Sequence, residues 1–218
     1  MNTFLFADLS GFTALTEAHG DEDAADLAAE FCRCVRELLP DHGAAEIKTI
    51  GDAMMVRADD PARAVELGVR IVADVGARPS FPIVRVGMHT GPAIKRDGDW
   101  FGAAVNLAAR ISSLAGGDEV LLSEDTRNAA GELNGIELRR HGEHRFKNVR
   151  DAVAIFRAAP EGGAEEDRLI DPVCRMAVDP DESIGSLRHQ GAEYHFCSLE
   201  CARAFTAEPE RYAGDAPG

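Results

Sequence analysis

The sequence contains no apolar run of about 18 residues, the length that a membrane-spanning helix needs. Its first residues, MNTFLFADLSGF, also lack the basic segment that opens a secretory signal. Basic residues are scarce, since 23 Lys and Arg stand against 38 Asp and Glu, for a formal net charge of −15. Nucleic acids and anionic membranes bind basic surfaces, so this charge argues against both partners. We therefore expect a cytoplasmic protein that binds neither.

Cysteines are few, five in 218 residues, and they are unevenly placed. An odd number in separate clusters is unlike the disulfide framework of a secreted domain. Cys174, Cys197 and Cys201 lie near the carboxyl end together with both tyrosines. Cys32 and Cys34 are two positions apart on a predicted long helix, so they point to different sides of it. We expect these two to be ordinary core or boundary residues.

The first part of the chain alternates strand and helix patterns. Two short strand patterns, AAEIKTI and AMMVRAD, flank a Gly51-Asp52 turn, so strands that are adjacent in sequence form hairpins. Ser10 is the predicted cap of the helix after the first strand, and residues 100–115 predict another helix. An α+β fold with a ferredoxin-like βαββαβ core and extra strands fits this order best.

The composition changes near residue 160. Residues 160–168, PEGGAEEDR, are rich in Gly and Glu without periodicity, which predicts a linker. We expect one domain over residues 1–159 and a second, small unit over residues 169–213. Because the small unit cannot rely on an apolar core alone, a bound metal or another staple is expected there.

Two carboxylates stand at the ends of predicted strands, Asp8 in FADLSGFT and Asp52 in IKTIGDAMM. Carboxylates at such positions can converge on hard cations, although each alone also suits a cap or a turn. The residues after Asp8 begin a helix, and the free N–H groups at a helix start suit phosphate oxygens. Lys48 lies four residues before Asp52, so the same hairpin carries charges of both signs.

A further polar pair lies on the helix predicted in DGDWFGAAVNLAARI. Asn106 and Arg110 are four residues apart and share a helix face, opposite a small apolar face. Arg110 alone could be a solvated surface residue. Asn is a poor helix-interior residue, so Asn106 indicates a function. Asp99 lies seven residues before Asn106, at the start of the same stretch.

Together these stretches resemble the catalytic domain of class III nucleotidyl cyclases. The matching segments run in the family's order over residues 3–157: FADLSGFT, IKTIGDAMM, VGMHTGPAI, GDWFGAAVNLAARI and HRFKNVRDAVAIF. The resemblance implies an adenylate cyclase that converts ATP to 3′,5′-cyclic AMP and pyrophosphate at the interface of a homodimer. Because Asp8 lies so near the first residue, we expect no sensor or transducer segment before the domain.

The resemblance also implies a role for each matching residue. Two Mg²⁺ or Mn²⁺ ions per site would be held by Asp8, Asp52 and the backbone carbonyl of Leu9. Asn106 would orient the ribose, and Arg110 would offset charge on the transferring phosphate. The metal ligands would come from one protomer, and the other contacts largely from its partner, so a monomer would be inactive.

Three further positions would bind the nucleotide by the same resemblance: Lys48 and Asp99 would read the base, and Lys147 would reach the triphosphate. Adenine presents an acceptor at N1 and a donor at N6, which a Lys donor and an Asp acceptor match. Guanine reverses this pattern, and guanylyl members of the family typically carry Glu and Cys-like residues instead. ATP is therefore the expected substrate. The alternatives are a guanylate cyclase and a catalytically idle dimer that acts as a metal-responsive binding module.

The last segment resembles a YHS domain, a small treble-clef-like module related to metal-binding TRASH domains, in DPVCRMAVDP and YHFCSLECARAF. The thiolates of Cys174, Cys197 and Cys201 would suit Zn²⁺ or Cu⁺. His195 and His189 are the candidates for a fourth ligand. Alternatively, the cysteines are small buried residues of a compact fold. Through this unit, metal or redox state would regulate the cyclase.

Overall fold

The structure is a computed structural model of the chain. It describes residues 1–76, 78, 81–162, 169–181 and 183–213. Of the predicted linker, residues 160–168, the part from 163 to 168 lies outside the described residues. Among the helices of the described part, none is long and apolar enough to cross a membrane.

The described part of the first 160 residues contains nine strands: β1 (Asn2–Leu9), β2 (Ala44–Ile50), β3 (Ala53–Ala58), β4 (Val84–Gly91), β5 (Ile94–Arg96), β6 (Asp99–Phe101), β7 (Val120–Ser123), β8 (Ile136–His144) and β9 (Val153–Pro160). Seven of them form one sheet with the order β2-β3-β1-β4-β7-β9-β8, while β5 and β6 form a separate hairpin. Within the sheet, β4 and β7 are parallel and the other neighbours are antiparallel. The order β2-β3-β1-β4 is that of a ferredoxin-like unit, so the predicted α+β class is confirmed.

Five helices accompany these strands: α1 (Phe12–His19), α2 (Asp21–Leu38), α3 (Pro61–Arg70), α4 (Ala103–Leu114) and α5 (Glu124–Ala130). A 3₁₀ turn, Pro40–His42, follows α2, and a π-helical turn, Ile71–Gly76, follows α3. Asp60 caps the start of α3, because its carboxylate accepts hydrogen bonds from two backbone N–H groups there. Cys32 is buried and Cys34 is half-buried on α2, as expected.

Two local predictions are wrong. Ser10 does not cap α1, because Gly11 occupies the cap position in a left-handed conformation with φ +78° and no side-chain hydrogen bond is made there. Glycine adopts this conformation without steric cost, and it allows a sharp turn directly after β1. Trp100 and Phe101 belong to β6 rather than to α4, which begins at Ala103.

The two faces of the sheet are covered differently. One face packs against α2 and α3 in the main core, which includes Phe31 and Leu67. The other face is crossed by α4 against β1 and β4. Gly87 on β4 permits this crossing, because a Cβ atom there would lie 1.9 Å from the backbone nitrogen of Ser112. As a result, one side of α4 packs against this face of the sheet. The other side of α4 is exposed, next to the part of the sheet face that the helix does not cover.

The C-terminal unit contains short elements: β10 (Leu169–Ile170), β11 (Ala177–Val178), β12 (Gly185–His189), β13 (Ala192–Phe196), α6 (Leu199–Ala207) and α7 (Pro209–Tyr212). β10 pairs with β11 and β12 pairs with β13, both antiparallel. The small core of this unit includes Phe196 and Phe205, and it is completed by Leu15 of α1. The predicted small Cys-rich unit is therefore present, and it packs against the first helix of the larger one.

Candidate functional site

The acidic pair predicted from the sequence lies at one end of the sheet. Asp8 is the penultimate residue of β1 and is paired in register with Ala53, the neighbour of Asp52. Gly51, with φ +62°, makes the tight β2–β3 turn that presents Asp52. Burial raises the pKa of Asp52, and the nearby Asp8 carboxylate raises it further, whereas backbone hydrogen bonds from Asp52 itself and from Leu9 act in the opposite direction.

Arg85 is a member of this site that the sequence analysis did not identify. It lies opposite Asp8 on β4, and its guanidinium donates two hydrogen bonds to that carboxylate, at 2.7 Å and 2.9 Å. A bidentate guanidinium–carboxylate pair is a strong, charge-assisted contact. A cation that binds Asp8 would therefore share or replace this contact. The alternating sequence pattern predicts that Arg85 lies on a strand. Only the pairing of β4 with β1 shows that it lies next to Asp8.

The donor set at this end fits a hard divalent cation. Asp8 and Asp52 offer carboxylate oxygens, and Leu9, whose backbone is hydrogen-bonded to the Asp52 carboxylate, carries the carbonyl that the resemblance implies as a third donor. Oxygen-only donors of this kind suit Mg²⁺ and Mn²⁺ rather than softer ions. Burial and, to a smaller extent, the charge of Asp8 raise the pKa of Asp52, and a cation bound here would offset both effects.

Lys48 and Asp99, the predicted base-reading residues, are in direct contact. The Lys48 ammonium lies 2.5 Å from a carboxylate oxygen of Asp99, and the other oxygen accepts from the Trp100 N–H at 2.8 Å. The hydrogen bond from Lys48 lowers the pKa of Asp99. Both side chains are partly exposed, at 41% and 28%. A donor and an acceptor thus stand side by side where a flat ring could reach them.

Asn106 and Arg110 lie on the exposed side of α4, with Asn106 exposed and Arg110 half-buried. The opposite side of the helix is buried against the sheet. Across the described part of the chain, neither side chain has a hydrogen-bond or ion-pair partner. Two polar groups on a helix surface are therefore available to a ligand or to another chain.

The alternation of the strands places these groups on one face of the sheet. Asp8 shares its side of β1 with Phe4 and Phe6, and Phe4 packs against α4. Lys48 pairs with Met55, which also packs in that cluster. Asp8, Lys48 and the exposed side of α4 therefore border the same open surface. Within the described residues, no hydrogen bond or ion pair joins the acidic pair to the α4 residues of the same chain.

Lys147 lies in the exposed turn between β8 and β9. The preceding Phe146 packs against the cluster that contains Leu107 and Ile111 of α4. The turn is thus held beside the helix that carries Asn106 and Arg110, although within the described residues no hydrogen bond joins Lys147 to either of them.

A cavity of about 740 Å³ lies between the start of α1 and the C-terminal unit. Its lining includes Ser10 and Gly11 at the helix start and three arginines: Arg85, Arg175 and Arg211. Arg85 is paired with Asp8 and Arg211 with Glu17, which also lines the cavity, so two of the three arginine charges are offset. The N–H groups of the helix start are the groups here that suit phosphate oxygens.

The three predicted cysteines of the C-terminal unit do converge. The Cys174 and Cys197 sulfurs are 3.4 Å apart, and those of Cys197 and Cys201 are 3.9 Å apart. Hydrogen bonds from Cys174 and Cys197 lower the pKa of Cys201 to about 2, whereas hydrogen bonds to Cys197 and Cys201 raise the pKa of Cys174. Three sulfurs gathered this closely suit a metal ion, which cysteine binds in its thiolate form.

The two candidates for a fourth ligand lie outside the cluster. His195 lies on β13 opposite Ser186, and His189 lies 3.6 Å from Glu210, and neither belongs to the cluster. The histidine beside the sulfurs is His19, the last residue of α1, and the four donor atoms lie within 4.8 Å of one another. Sequence reasoning missed His19 because it belongs to the other part of the chain, with no local signal of its role.

Comparison with known proteins identifies two families. The model of the adenylate and guanylate cyclase catalytic domain matches residues 2–157, and the model of the YHS domain matches residues 169–216. A pH-sensitive adenylate cyclase of Mycobacterium tuberculosis is 36% identical over 174 residues, which cover 76% of this chain and 44% of the relative. The chain thus spans less than half of that curated relative.

Solved structures share the fold. The adenylyl cyclase CyaB of P. aeruginosa superposes with a TM-score of 0.62 at 23% identity, over 76% of this chain and 95% of the other. The guanylate cyclase domain of RhGC from Catenaria anguillulae, solved with GTP, superposes with a TM-score of 0.62 at 17% identity, over 73% and 96%. Since both kinds of cyclase share the fold, the fold does not select the purine.

Proposed function

Since the chain belongs to the adenylate and guanylate cyclase catalytic domain family, with a YHS domain after that domain, we propose that it is an adenylate cyclase. It converts ATP to 3′,5′-cyclic AMP and pyrophosphate, and so serves cyclic AMP signalling. The choice of ATP rests on one observation, the contact between Lys48 and Asp99. This contact sets an ammonium donor beside a carboxylate acceptor, which is the pair that the N1 and N6 edge of adenine requires.

Guanine would be rejected by the same pair. Its N1 and O6 edge presents a donor and an acceptor, so Lys48 would face the donor and Asp99 the acceptor, or one of them would remain unpaired. A site built from buried polar groups can discriminate by up to ~10⁴ when the wrong ligand leaves those groups unpaired. Because Lys48 and Asp99 are partly exposed in one chain, this selectivity requires a second surface to close over the base.

Asp8, Asp52 and the Leu9 carbonyl would hold two Mg²⁺ or Mn²⁺ ions at each site. When bound, such ions lower the pKa of the ribose 3′-hydroxyl and offset charge on the phosphates. The N–H groups at the start of α1, near Gly11, bind phosphate oxygens beside them. The 3′-hydroxyl gives up its proton to Asp8 or to water, its oxygen attacks the α-phosphorus, and the bond from that phosphorus to pyrophosphate breaks.

The active site is shared by two copies of the chain. Asp8 and Asp52 of one protomer serve one ATP molecule together with α4 of its partner, where Asn106 orients the ribose and Arg110 offsets charge on the transferring phosphate. Lys147 of the partner reaches the triphosphate. Within the described residues, the acidic pair makes no hydrogen bond or ion pair with the α4 residues of its own chain, which supports this arrangement. A symmetric, head-to-tail pair builds two equivalent sites.

We assign residues 1–159 to the catalytic domain, 160–168 to the linker and 169–213 to the YHS domain. The YHS domain binds Zn²⁺ or Cu⁺ through Cys174, Cys197 and Cys201, which the chemistry of the three sulfurs supports. Metal or redox state at this domain regulates the cyclase.

The test is nucleotide turnover by the purified full chain, with Mn²⁺ and either ATP or GTP, measured by chromatography of the cyclic products. We expect cyclic AMP from ATP, and Asp52→Ala should lower the rate by at least ~10²-fold because a metal ligand is lost. Asp59→Ala is the matched control, since Asp59 is 71% exposed just beyond the other end of β3. Faster turnover of GTP would identify a guanylate cyclase, and no turnover of either would identify an idle binding module.

A further inference from the structure

The cysteine cluster contains a fourth donor that comes from the catalytic domain. His19 Nε2 lies 3.7 Å from the Cys197 sulfur and 3.8 Å from the Cys201 sulfur. The sulfur–sulfur distances are 3.4 Å for Cys174–Cys197 and 3.9 Å for Cys197–Cys201. The four atoms thus surround a space about one ion wide.

These spacings agree with those of a tetrahedral zinc site. With Zn–S bonds of ~2.3 Å and Zn–N bonds of ~2.05 Å, tetrahedral angles give S–S distances of ~3.8 Å and S–N distances of ~3.6 Å. The two sulfur–sulfur distances and the two distances from His19 Nε2 to sulfur given above fall between 3.4 Å and 3.9 Å. A set of three thiolates and one imidazole is also a common composition of structural zinc sites.

The backbone around the sulfurs is fixed before any ion binds. The fully buried carboxylate of Asp171 accepts hydrogen bonds from the N–H groups of Val173, Cys174 and Cys197, at 2.8 Å, 3.3 Å and 2.9 Å. Ser198 caps α6 by accepting from the Cys201 N–H at 3.1 Å. Two separate segments are therefore held so that their three sulfurs meet, and outer-shell contacts of this kind orient metal ligands.

His19 is held in place by the packing of α1 against the C-terminal unit. Leu15, one turn earlier on α1, is 1% exposed and lies in the same small core as Phe205. The Glu17 carboxylate accepts from Arg211 of α7 at 3.0 Å. The imidazole therefore reaches the sulfurs from a docked helix and not from a free end.

We propose that His19, Cys174, Cys197 and Cys201 bind one Zn²⁺ ion, and that this ion fastens the YHS domain to α1 of the catalytic domain. The inference rests on the metal binding proposed above for the three cysteines, but it does not depend on cyclase activity. Binding of the ion displaces thiol protons to solvent, because thiolates are the ligands.

Metal binding by the full, reduced chain tests the composition of the site. Titration with Co²⁺ should give one equivalent with tetrahedral visible bands, which Zn²⁺ then displaces. His19→Ala should weaken the affinity for Zn²⁺ by more than ~10-fold, since loss of even an outer-shell partner costs 10- to 100-fold. His195→Ala is the matched control and should bind as the unchanged chain does, because His195 lies outside the cluster.

A second variant guards against simple misfolding. His19→Cys should restore tight binding, with the sulfur-to-Co²⁺ charge-transfer absorbance raised by about one third, from three thiolates to four. Binding that is unaffected by His19→Ala but lost in Cys197→Ala would overturn the inference while leaving metal binding by the three cysteines intact. A fully reduced chain that takes up neither Co²⁺ nor Zn²⁺ would overturn both.

Amide hydrogen exchange tests whether the ion joins the two domains. Zn²⁺ should slow exchange in α1 (Phe12–His19) as well as around Cys197 and Cys201, and His19→Ala should remove the protection of α1. Protection confined to the C-terminal unit would contradict a shared site. This readout is independent of cyclic AMP production, so an inactive enzyme does not affect its interpretation.

Discussion

A shared active site predicts that two inactive variants can repair each other. Asp52→Asn removes a metal-ligating charge without changing the shape of the side chain, and Arg110→Ala removes the guanidinium on α4. Each homodimer then lacks one required group at both of its sites. Removal of one such charge-stabilising group costs about 10²–10³ in turnover, so both homodimers should be nearly inactive.

The heterodimer of these two variants differs from both parents. One of its sites combines the intact acidic pair of the Arg110→Ala protomer with the intact α4 of the Asp52→Asn protomer. The other site carries both defects. By the two-fold symmetry of such a pair, one complete site out of two should give about half of the unchanged rate per dimer.

The assay is cyclic AMP production by heterodimers isolated through two different affinity tags after co-expression. A heterodimer of Asp52→Asn with Asp8→Asn is the control, because both defects belong to the acidic pair and every site then lacks a metal ligand. It should remain as slow as its parents. If the Arg110 and Asp52 variants also fail to restore activity together, or if a monomeric form turns over ATP, the shared site is refuted.

Three further predictions concern single features of the fold. The double variant with Lys48→Glu and Asp99→Cys should prefer GTP more than the unchanged chain does, measured as the kcat/KM for GTP divided by that for ATP. An unchanged ratio would contradict the assignment of these two residues to base recognition. Burial lowers the pKa of His89, so the unfolded chain binds more protons, and the free energy of unfolding should fall as pH drops below about 6.5. In urea unfolding, the His89→Gln variant should lose less of this free energy between pH 7.5 and 5.5 than the unchanged chain. An equal loss in both would argue against a role of His89. Gly87→Ala should lower the melting temperature, because its Cβ would collide with the Ser112 nitrogen and such overpacking costs at least ~1–3 kcal/mol; an unchanged melting temperature would show that α4 can move away from the sheet.

Local features of the fold were predictable from the sequence because their causes are local. The alternation on either side of Gly51-Asp52 predicts the β2–β3 hairpin, and the Asp60-Pro61 start predicts α3. The cap of α1 was not predicted correctly, because Ser10 has the chemistry of a cap but the turn after β1 requires the left-handed conformation of Gly11.

Contacts between segments that are far apart in the chain could not be predicted from the sequence. Arg85 meets Asp8 because β4 pairs with β1, and this register is a property of the whole sheet. His19 meets the cysteines only after the C-terminal unit docks on α1. A nearby histidine such as His195 was the reasonable expectation from spacing alone, but its strand directs it away from the sulfurs.

Both ends of α1 contact the C-terminal unit, and this limits how its role can be tested. His19 ends the helix at the cysteine cluster, while Gly11 begins it against Arg175, whose Cγ would lie 2.6 Å from a Cβ at that glycine. Gly11 follows Asp8 by only three residues, so the helix spans from the acidic pair to the cluster. Deletion of the C-terminal unit would also expose Leu15 to solvent and disturb α1. A change in activity could then come either from lost regulation or from a damaged helix. Only substitutions at the cluster, read together with metal content, separate the two effects.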